Sequence, residues 1–263
     1  MTESEVAIAP VSIVTGASQG IGRVIAVEIG RGGGVVVLAA RNLDGLNETA
    51  AMVEEASGRP MVVETDVSSQ TSVGDMVEAV TAEHGRIDAL VNNSGIGGPS
   101  GKLWEVDPEE WKSTFDVNVF GVFQVTRAVL PVMIEQQAGS VVIIGSISGK
   151  RPLFGRSAYT TTKTALIGLT RTLAAEVGPE GIRVNLISPG FVAGPRLDWV
   201  MNAQSEARGL SLDEVRSEFE NEAPLRRLTD PVDVARAAVF LASEAASGIT
   251  GADLNVNSGA VMY

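Results

Sequence analysis

Short β-branched runs alternate with longer helical patterns from one end of the chain to the other. The runs are Val11–Thr15, Val35–Ala39, Met61–Thr65, Ala89–Asn92, Ser140–Ile144, Arg183–Ile187 and Asp253–Val256. Most are apolar on successive residues, as expected of strands covered on both faces. Strand-then-helix rhythm sustained over 263 residues predicts an α/β fold, a doubly wound parallel sheet of about seven strands. No repeat or Pro/Gly/Ser-rich linker interrupts it, so residues 1–263 read as a single domain. Within it, 1–9 reads as an N-terminal tail and roughly Gly194 to Leu228 as an insert.

Capping chemistry places several helix starts. Asp107-Pro108-Glu109-Glu110 combines an N-cap, a proline at the first helical position and early acidic residues. Asp230-Pro231-Val232-Asp233 repeats that grammar ahead of a helix to about Ser243. Ser211-Leu212-Asp213-Glu214 is a capping box, which divides the insert into two short helices near Gly209.

The first strand runs directly into Thr15-Gly16-Ala17-Ser18-Gln19-Gly20-Ile21-Gly22 and then a helical pattern from Val24 to Ile29. The spacing G-x-x-x-G-x-G differs from the general G-x-G-x-x-G fingerprint, but the physical logic is shared. Gly16 permits a tight turn, Gly20 lets the backbone approach a pyrophosphate, and Gly22 allows close helix–strand packing. The helix that follows points its positive end at the phosphates. This is the opening of a Rossmann-like dinucleotide-binding sheet.

The second strand bears on which dinucleotide. NAD sites usually carry Asp or Glu at its end, accepting from the adenosine ribose. Here it ends Leu38-Ala39-Ala40-Arg41-Asn42, with alanine at the acid's position. Arg41 suits a 2′-phosphate, so NADP(H) is favoured and NAD(H) stays open.

Tyr159 and Lys163 stand one helical turn apart at the head of a helix that runs through Val177. A free tyrosine titrates at about 10. A neighbouring ammonium favours the phenolate and brings the group within reach of acid–base work near neutral pH. Ser146 ends the apolar strand Ser140–Ile144, where ligands of such sheets bind. Its hydroxyl suits a substrate carbonyl oxygen, or simply a turn.

Together these motifs resemble the short-chain dehydrogenase/reductase family, single-domain type, from about Ser12 to Gly259. The resemblance implies that Gly16, Ser18, Gln19, Gly20, Ile21 and Gly22 form the cofactor loop and that Asp66-Val67 contacts the adenine. Asn92-Asn93-Ser94-Gly95 resembles the family's Asn-Asn-Ala-Gly motif, which adds Asn93 and Gly95 to the cofactor residues. Pro189, Gly190 and Val192 fall in the turn beside the nicotinamide. Asn118, Ser146, Tyr159 and Lys163 match the active-site residues. Tyr159 is implied to exchange the proton with the carbonyl oxygen and Ser146 to hold that oxygen. Lys163 is implied to bind the nicotinamide ribose and lower the tyrosine pKa, with Asn118 positioning a water. Three departures stand out: Ser94 in place of alanine, Gly194 in place of a common threonine, and Val256-Asn257-Ser258-Gly259 in place of Val-Asp-Gly-Gly.

The formal net charge of −12 argues against nucleic-acid and anionic-membrane partners, which need basic surface. With no cysteine and one histidine, thiolate chemistry and a two-His metal motif are excluded, and no metal site is expected. His84 reads as an exposed residue at a helix end. No apolar run is expected to reach the ~18 residues of a membrane span, and the acidic start, Met-Thr-Glu-Ser-Glu, is unlike a signal peptide; a cytoplasmic protein fits. Substrate choice is expected in the insert, which carries Trp199, Met201 and Phe219 and reads as a lid, and in the loop from Gly145 to Tyr159. Arg151, Arg156, Arg196 and Arg208 suit an acidic substrate or solvent alone. A 3-oxoacyl thioester and a sugar, polyol or cyclic alcohol stay open as substrates. The family resemblance implies a homotetramer formed through helices near Glu109–Gln136 and Tyr159–Val177. The contrasting reading is a catalytically idle dinucleotide-binding sensor or scaffold, which would be expected to lack Tyr159 or Lys163.

Overall fold

A computed structural model describes residues 10–263; the expected tail at 1–9 lies outside them. In chain order the elements are β1 (Val11–Thr15), α1 (Gly20–Gly30), β2 (Val35–Ala40), α2 (Leu43–Glu55), β3 (Arg59–Glu64), α3 (Gln70–His84) and β4 (Ala89–Asn92). There follow α4 (Pro108–Phe115), α5 (Gly121–Gln136), β5 (Gly139–Ile144), α6 (Ser157–Val177) and β6 (Ile182–Pro189). The chain closes with α7 (Pro195–Arg208), α8 (Leu212–Asn221), α9 (Pro231–Ala242) and β7 (Asp253–Val256).

All strands run parallel in one seven-stranded sheet of order β3-β2-β1-β4-β5-β6-β7. Successive residues of each inner strand face opposite layers. Val35, Val37 and Ala39 pack with residues of α3, α5 and α6, whereas Val36, Leu38 and Ala40 pack with α1, α2 and α9. Each face is therefore a core of its own, which is why the strands read as continuous apolar runs. Strand order reverses between β1 and β4, so the crevice for a ligand opens at their carboxyl ends.

The caps behave as their chemistry requires. Asp107 accepts from the N–H groups of Glu109 (2.7 Å) and Glu110 (3.4 Å), and Asp230 accepts from Val232 (2.8 Å). Ser211 and Glu214 form the reciprocal capping box of α8, and Gly209 ends α7 in the left-handed region. His84 does end a helix, but its side chain is mostly covered rather than exposed.

One expectation needs correcting. The helical stretch Pro108–Gln136 is long and apolar enough, by length and composition, to cross a membrane. The reason is that it carries two apolar faces. Val122, Val125, Val129 and Met133 pack into the sheet core, while Phe120 and Phe123 point outward.

Candidate active site

The glycine loop is welded to the end of β4. Thr15 Oγ1 accepts from the backbone N–H of Asn93 and of Ser94, each at 3.0 Å. Asn93 Nδ2 donates back to the carbonyls of Thr15 (3.0 Å) and Gly16 (3.3 Å). Gly16 (φ +67°) and Gly20 (φ +57°) both sit in the left-handed region that disfavours other residues. A Cβ on Gly22 would collide with the Gly16 carbonyl oxygen and the Asn93 amide, so α1 can approach β1 only with glycine there. Space beside Gly20 is open, and Gln19 gives α1 no side-chain cap. The first-turn N–H groups of α1 are thus left without a side-chain partner, the arrangement at which helix N-termini take anions. Ser18 and Ile21 flank that opening in sequence. The loop's outer side is held by Arg23, whose guanidinium donates to the Ser18 carbonyl (2.6 Å), the Gly45 carbonyl (3.2 Å) and Thr49 Oγ1 (3.0 Å). Sequence reading missed this role, because the partners lie across two helices.

At the neighbouring strand ends, Arg41 is exposed just past β2, and its charge acts on Asp66 just past β3. The Ser68 hydroxyl (2.6 Å) holds the Asp66 carboxyl below the ordinary carboxylate range. Burial opposes this, and the Ser68 backbone N–H and Arg41 add to it. Val67 is buried, and its carbonyl accepts from Gln124 (3.1 Å), which ties the segment after β3 to α5.

Tyr159 occupies the first turn of α6, with Lys163 one turn further along. Lys163 is only 5% exposed; its Nζ donates to the Ile144 carbonyl at 2.8 Å and lies 5.8 Å from the Tyr159 ring centre. Ser146 emerges from β5, accepts from the Ser148 N–H (3.0 Å), and favours the ionised phenol. Burial pushes the Tyr159 phenol up, yet the opposing effects prevail and its pKa is below that of free tyrosine. Lys163 leads them, followed by Arg196, Ser146 and Arg156. Lys163 is itself lowered, by burial first, with the phenol opposing and Arg196 assisting.

Asn118 reaches this cluster because the helix between α4 and α5 takes a π turn, Asp116–Phe120. Such turns are frequent at functional sites. The side chain is fully buried and wholly engaged: Oδ1 accepts from the Ile96 N–H (2.7 Å), while Nδ2 donates to the Ile96 carbonyl (2.9 Å) and Thr162 Oγ1 (3.1 Å). Thr162 in turn donates to the Tyr159 carbonyl at 2.8 Å. Asn118 therefore clamps the loop after β4 to the first turn of α6. A Cβ on Gly95 would stand 3.2 Å from Asn118 Oδ1 and 3.7 Å from Lys163 Nζ, so glycine keeps room beside the lysine.

On the far side, Pro189 ends β6 and the Gly190 N–H donates to the Val256 carbonyl (3.0 Å). A side chain on Gly190 would press on Asn257 at 2.8 Å. Val192 pairs with Thr229, anchoring the start of the insert. Within the insert, Met201 is buried and Phe219 meets Phe191 edge-on at 4.7 Å, so these two are anchors; Trp199 is exposed. Of the four arginines, Arg151 pairs with Glu222 (2.8 Å) and Arg208 with Glu218 (2.6 Å). Arg156 and Arg196 instead flank Tyr159, 6.0 and 5.5 Å from its ring centre. No group of His, Asp or Glu fit to hold a metal ion occurs among the described residues.

A parallel sheet with this order, a glycine loop at its reversal, and a serine, tyrosine and lysine gathered beside it define a nicotinamide-dependent oxidoreductase. The chain belongs to the short-chain dehydrogenase/reductase family. The family model described as enoyl-(acyl carrier protein) reductase matches residues 16–261. The oxidoreductase UcpA of Salmonella typhimurium is 38% identical over 258 residues, 95% of this chain and 94% of its own. Among solved structures, an actinorhodin polyketide ketoreductase with NADPH superposes with a TM-score of 0.92 at 33% identity, covering 97% of this chain and 98% of that one. An NAD⁺-bound xylitol dehydrogenase gives 0.91 at 29% identity, covering 96% and 100%.

Proposed function

We propose that this enzyme interconverts a ketone and a secondary alcohol with NADP(H), using Tyr159 as its acid–base group. The observation that carries the reading is the gathering of Ser146, Tyr159 and the buried Lys163 at the carboxyl end of β5, with Lys163 Nζ 5.8 Å from the Tyr159 ring centre and favouring the ionised phenol. When bound, the nicotinamide supplies or accepts the hydride. Everything else falls to the chain. In reduction, Tyr159 gives its proton to the carbonyl oxygen, which Ser146 holds with its hydroxyl. Lys163 stabilises the phenolate left behind and offers its remaining N–H groups to the nicotinamide ribose. Asn118 positions α6 against the loop after β4, so that Tyr159 and Lys163 keep their mutual geometry.

The cofactor residues fit such a dinucleotide. Gly16, Ser18, Gln19, Gly20, Ile21 and Gly22 would cradle the pyrophosphate. Arg41, Asp66, Val67, Asn93 and Gly95 would line the adenosine side and the approach to the ribose. Pro189, Gly190 and Val192 would border the nicotinamide, where Gly194 offers no hydroxyl to the carboxamide. The polyketide ketoreductase is named with NADPH and the xylitol dehydrogenase with NAD⁺, so Arg41 decides our preference for NADP(H). The insert from Gly194 to Leu228 acts as the lid. Phe120 (54% exposed) and Phe123 supply an apolar face for assembly as a tetramer.

NADPH consumption against a panel of ketones tests the reaction; absence of turnover on every member counts against it. Cofactor choice is tested by the ratio of kcat/KM for NADPH over NADH. We expect it to favour NADPH and to fall about tenfold in Arg41→Ala, the worth of one charge-assisted contact. Wild-type preference for NADH would overturn the Arg41 argument.

A further inference from the structure

Two cations meet beside the reacting group without a carboxylate partner among the described residues. Arg156, which precedes α6, and Arg196, in the first turn of α7, converge on Gly97. Their terminal nitrogens lie 2.5 and 2.8 Å from the point where a Gly97 side chain would begin. Both guanidinium groups also lie over the Tyr159 ring. Arg156 donates to the Gly97 carbonyl at 2.7 Å, and its Nε is buried without a hydrogen-bond partner. Neither arginine joins an ion pair among the described residues, in a chain with twelve more acidic than basic side chains.

Arg156 is half-buried and Arg196 is exposed at its side, and like charges held this close favour an anion that completes the group. Arg156 has its pKa lowered by burial first and by Arg196 next, with the Tyr159 phenol opposing. Guanidinium groups present paired donors that match the oxygens of a carboxylate or a similar compact oxyanion. The catalytic phenol stands at the same spot, so the anion and the reacting carbonyl would belong to one molecule.

We infer that Arg156 and Arg196 form an anion subsite, and that the substrate is a keto or hydroxy acid with its oxyanion a short spacer from the reacting carbon. The inference rests on the carbonyl-reduction reading above and narrows its substrate class. Gly97 serves the subsite by lacking a side chain. Arg196 sits on the lid, so the anion would draw α7 towards α6.

The test uses acetoacetate and levulinate, each beside its methyl ester, at saturating NADPH, with NADPH then varied at fixed substrate. Wild-type enzyme is expected to prefer an acid over its ester by tenfold or more in kcat/KM. Arg196→Gln and Arg156→Gln are each expected to cut that ratio about tenfold. Because both arginines also act on the Tyr159 phenol, absolute rates will move for acid and ester alike; the ratio isolates anion recognition. A parallel calorimetric titration of levulinate and its ester into the enzyme–NADP⁺ complex reads binding without turnover. Equal or better use of the esters, or a ratio unmoved in both variants, overturns the subsite. So does an Arg196→Gln defect that appears only as a raised NADPH KM, common to all substrates. Absence of binding by either acid overturns it too. Tight acid binding that is lost in Arg196→Gln without any turnover would uphold the subsite and count instead against carbonyl reduction.

Discussion

Tyr159→Phe is expected to lower turnover by about 10³-fold or more, within the range set by loss of a positioned acid–base group. The phenyl ring keeps the volume of the residue and its place in the first turn of α6, so the fold should persist. What is lost is the hydroxyl beside Ser146, whose proton the reaction requires. The pH dependence supplies an independent check with a definite sign. Alcohol oxidation needs the phenolate, so kcat/KM should rise with pH and level off above the Tyr159 pKa. Ketone reduction needs the phenol and should fall with pH through the same point. Because that pKa is lowered, both inflections should lie below that of free tyrosine. Lys163→Met should move them upward, by removing the leading charge that favours the phenolate. A Tyr159→Phe enzyme with a tenth of wild-type activity would end the proposed mechanism.

Lys150→Ala should cost about 3–5 kcal/mol of stability, the penalty for stranding one partner of a buried ion pair. Lys150 follows the short turn after Ser146, and its Nζ meets Asp253 Oδ2 at 3.0 Å and Asn255 Oδ1 at 2.7 Å. Side-chain exposures of 7% and 10% leave water little access to the pair. Ser188 donates to the other Asp253 oxygen at 2.7 Å, completing a small network that ties the segment after β5 to β6 and β7. In a chain of this size such a loss corresponds to a melting shift on the order of 10 °C. Thermal and urea unfolding would measure it. The double variant Lys150→Met/Asp253→Leu should recover much of the loss, because it leaves no uncompensated charge. A single variant as stable as the wild type would show the pair to be dispensable.

Most strands were legible as apolar runs because the sheet is covered on both faces, and the misplaced ends have local causes. Reading β3 from Met61 excluded Pro60, which cannot donate to a ladder. The strand lies at the sheet edge, where proline is tolerated, and Pro60 pairs with Val36. β6 extends to Pro189 because β7 pairs alongside it through Val256. The short-range parts of the site were legible too: glycine spacing, the helical interval between Tyr159 and Lys163, and the caps of α4, α8 and α9.

What escaped the sequence was produced by packing between distant segments. Nothing in the periodicity from Pro108 to Gln136 marks a π turn, since the apolar faces read as one helix. Asn118, a lone amide in an apolar stretch, was the only trace of it. Arg156 and Arg196 looked no different from Arg151 and Arg208, although the fold pairs the latter two with glutamates. The side chain of His84 is mostly covered, where the helix end alone suggested exposure.

The π turn also sets helical phase. One additional residue in a turn rotates everything beyond it by about 100° around the axis. The same extra residue that carries Asn118 inward therefore fixes the direction in which Phe123 points outward. The inward placement of Asn118 and the direction of the outward apolar face are coupled through a residue count. A single insertion or deletion between Phe115 and Gly121 would turn both at once, whereas substitutions there could alter either one alone.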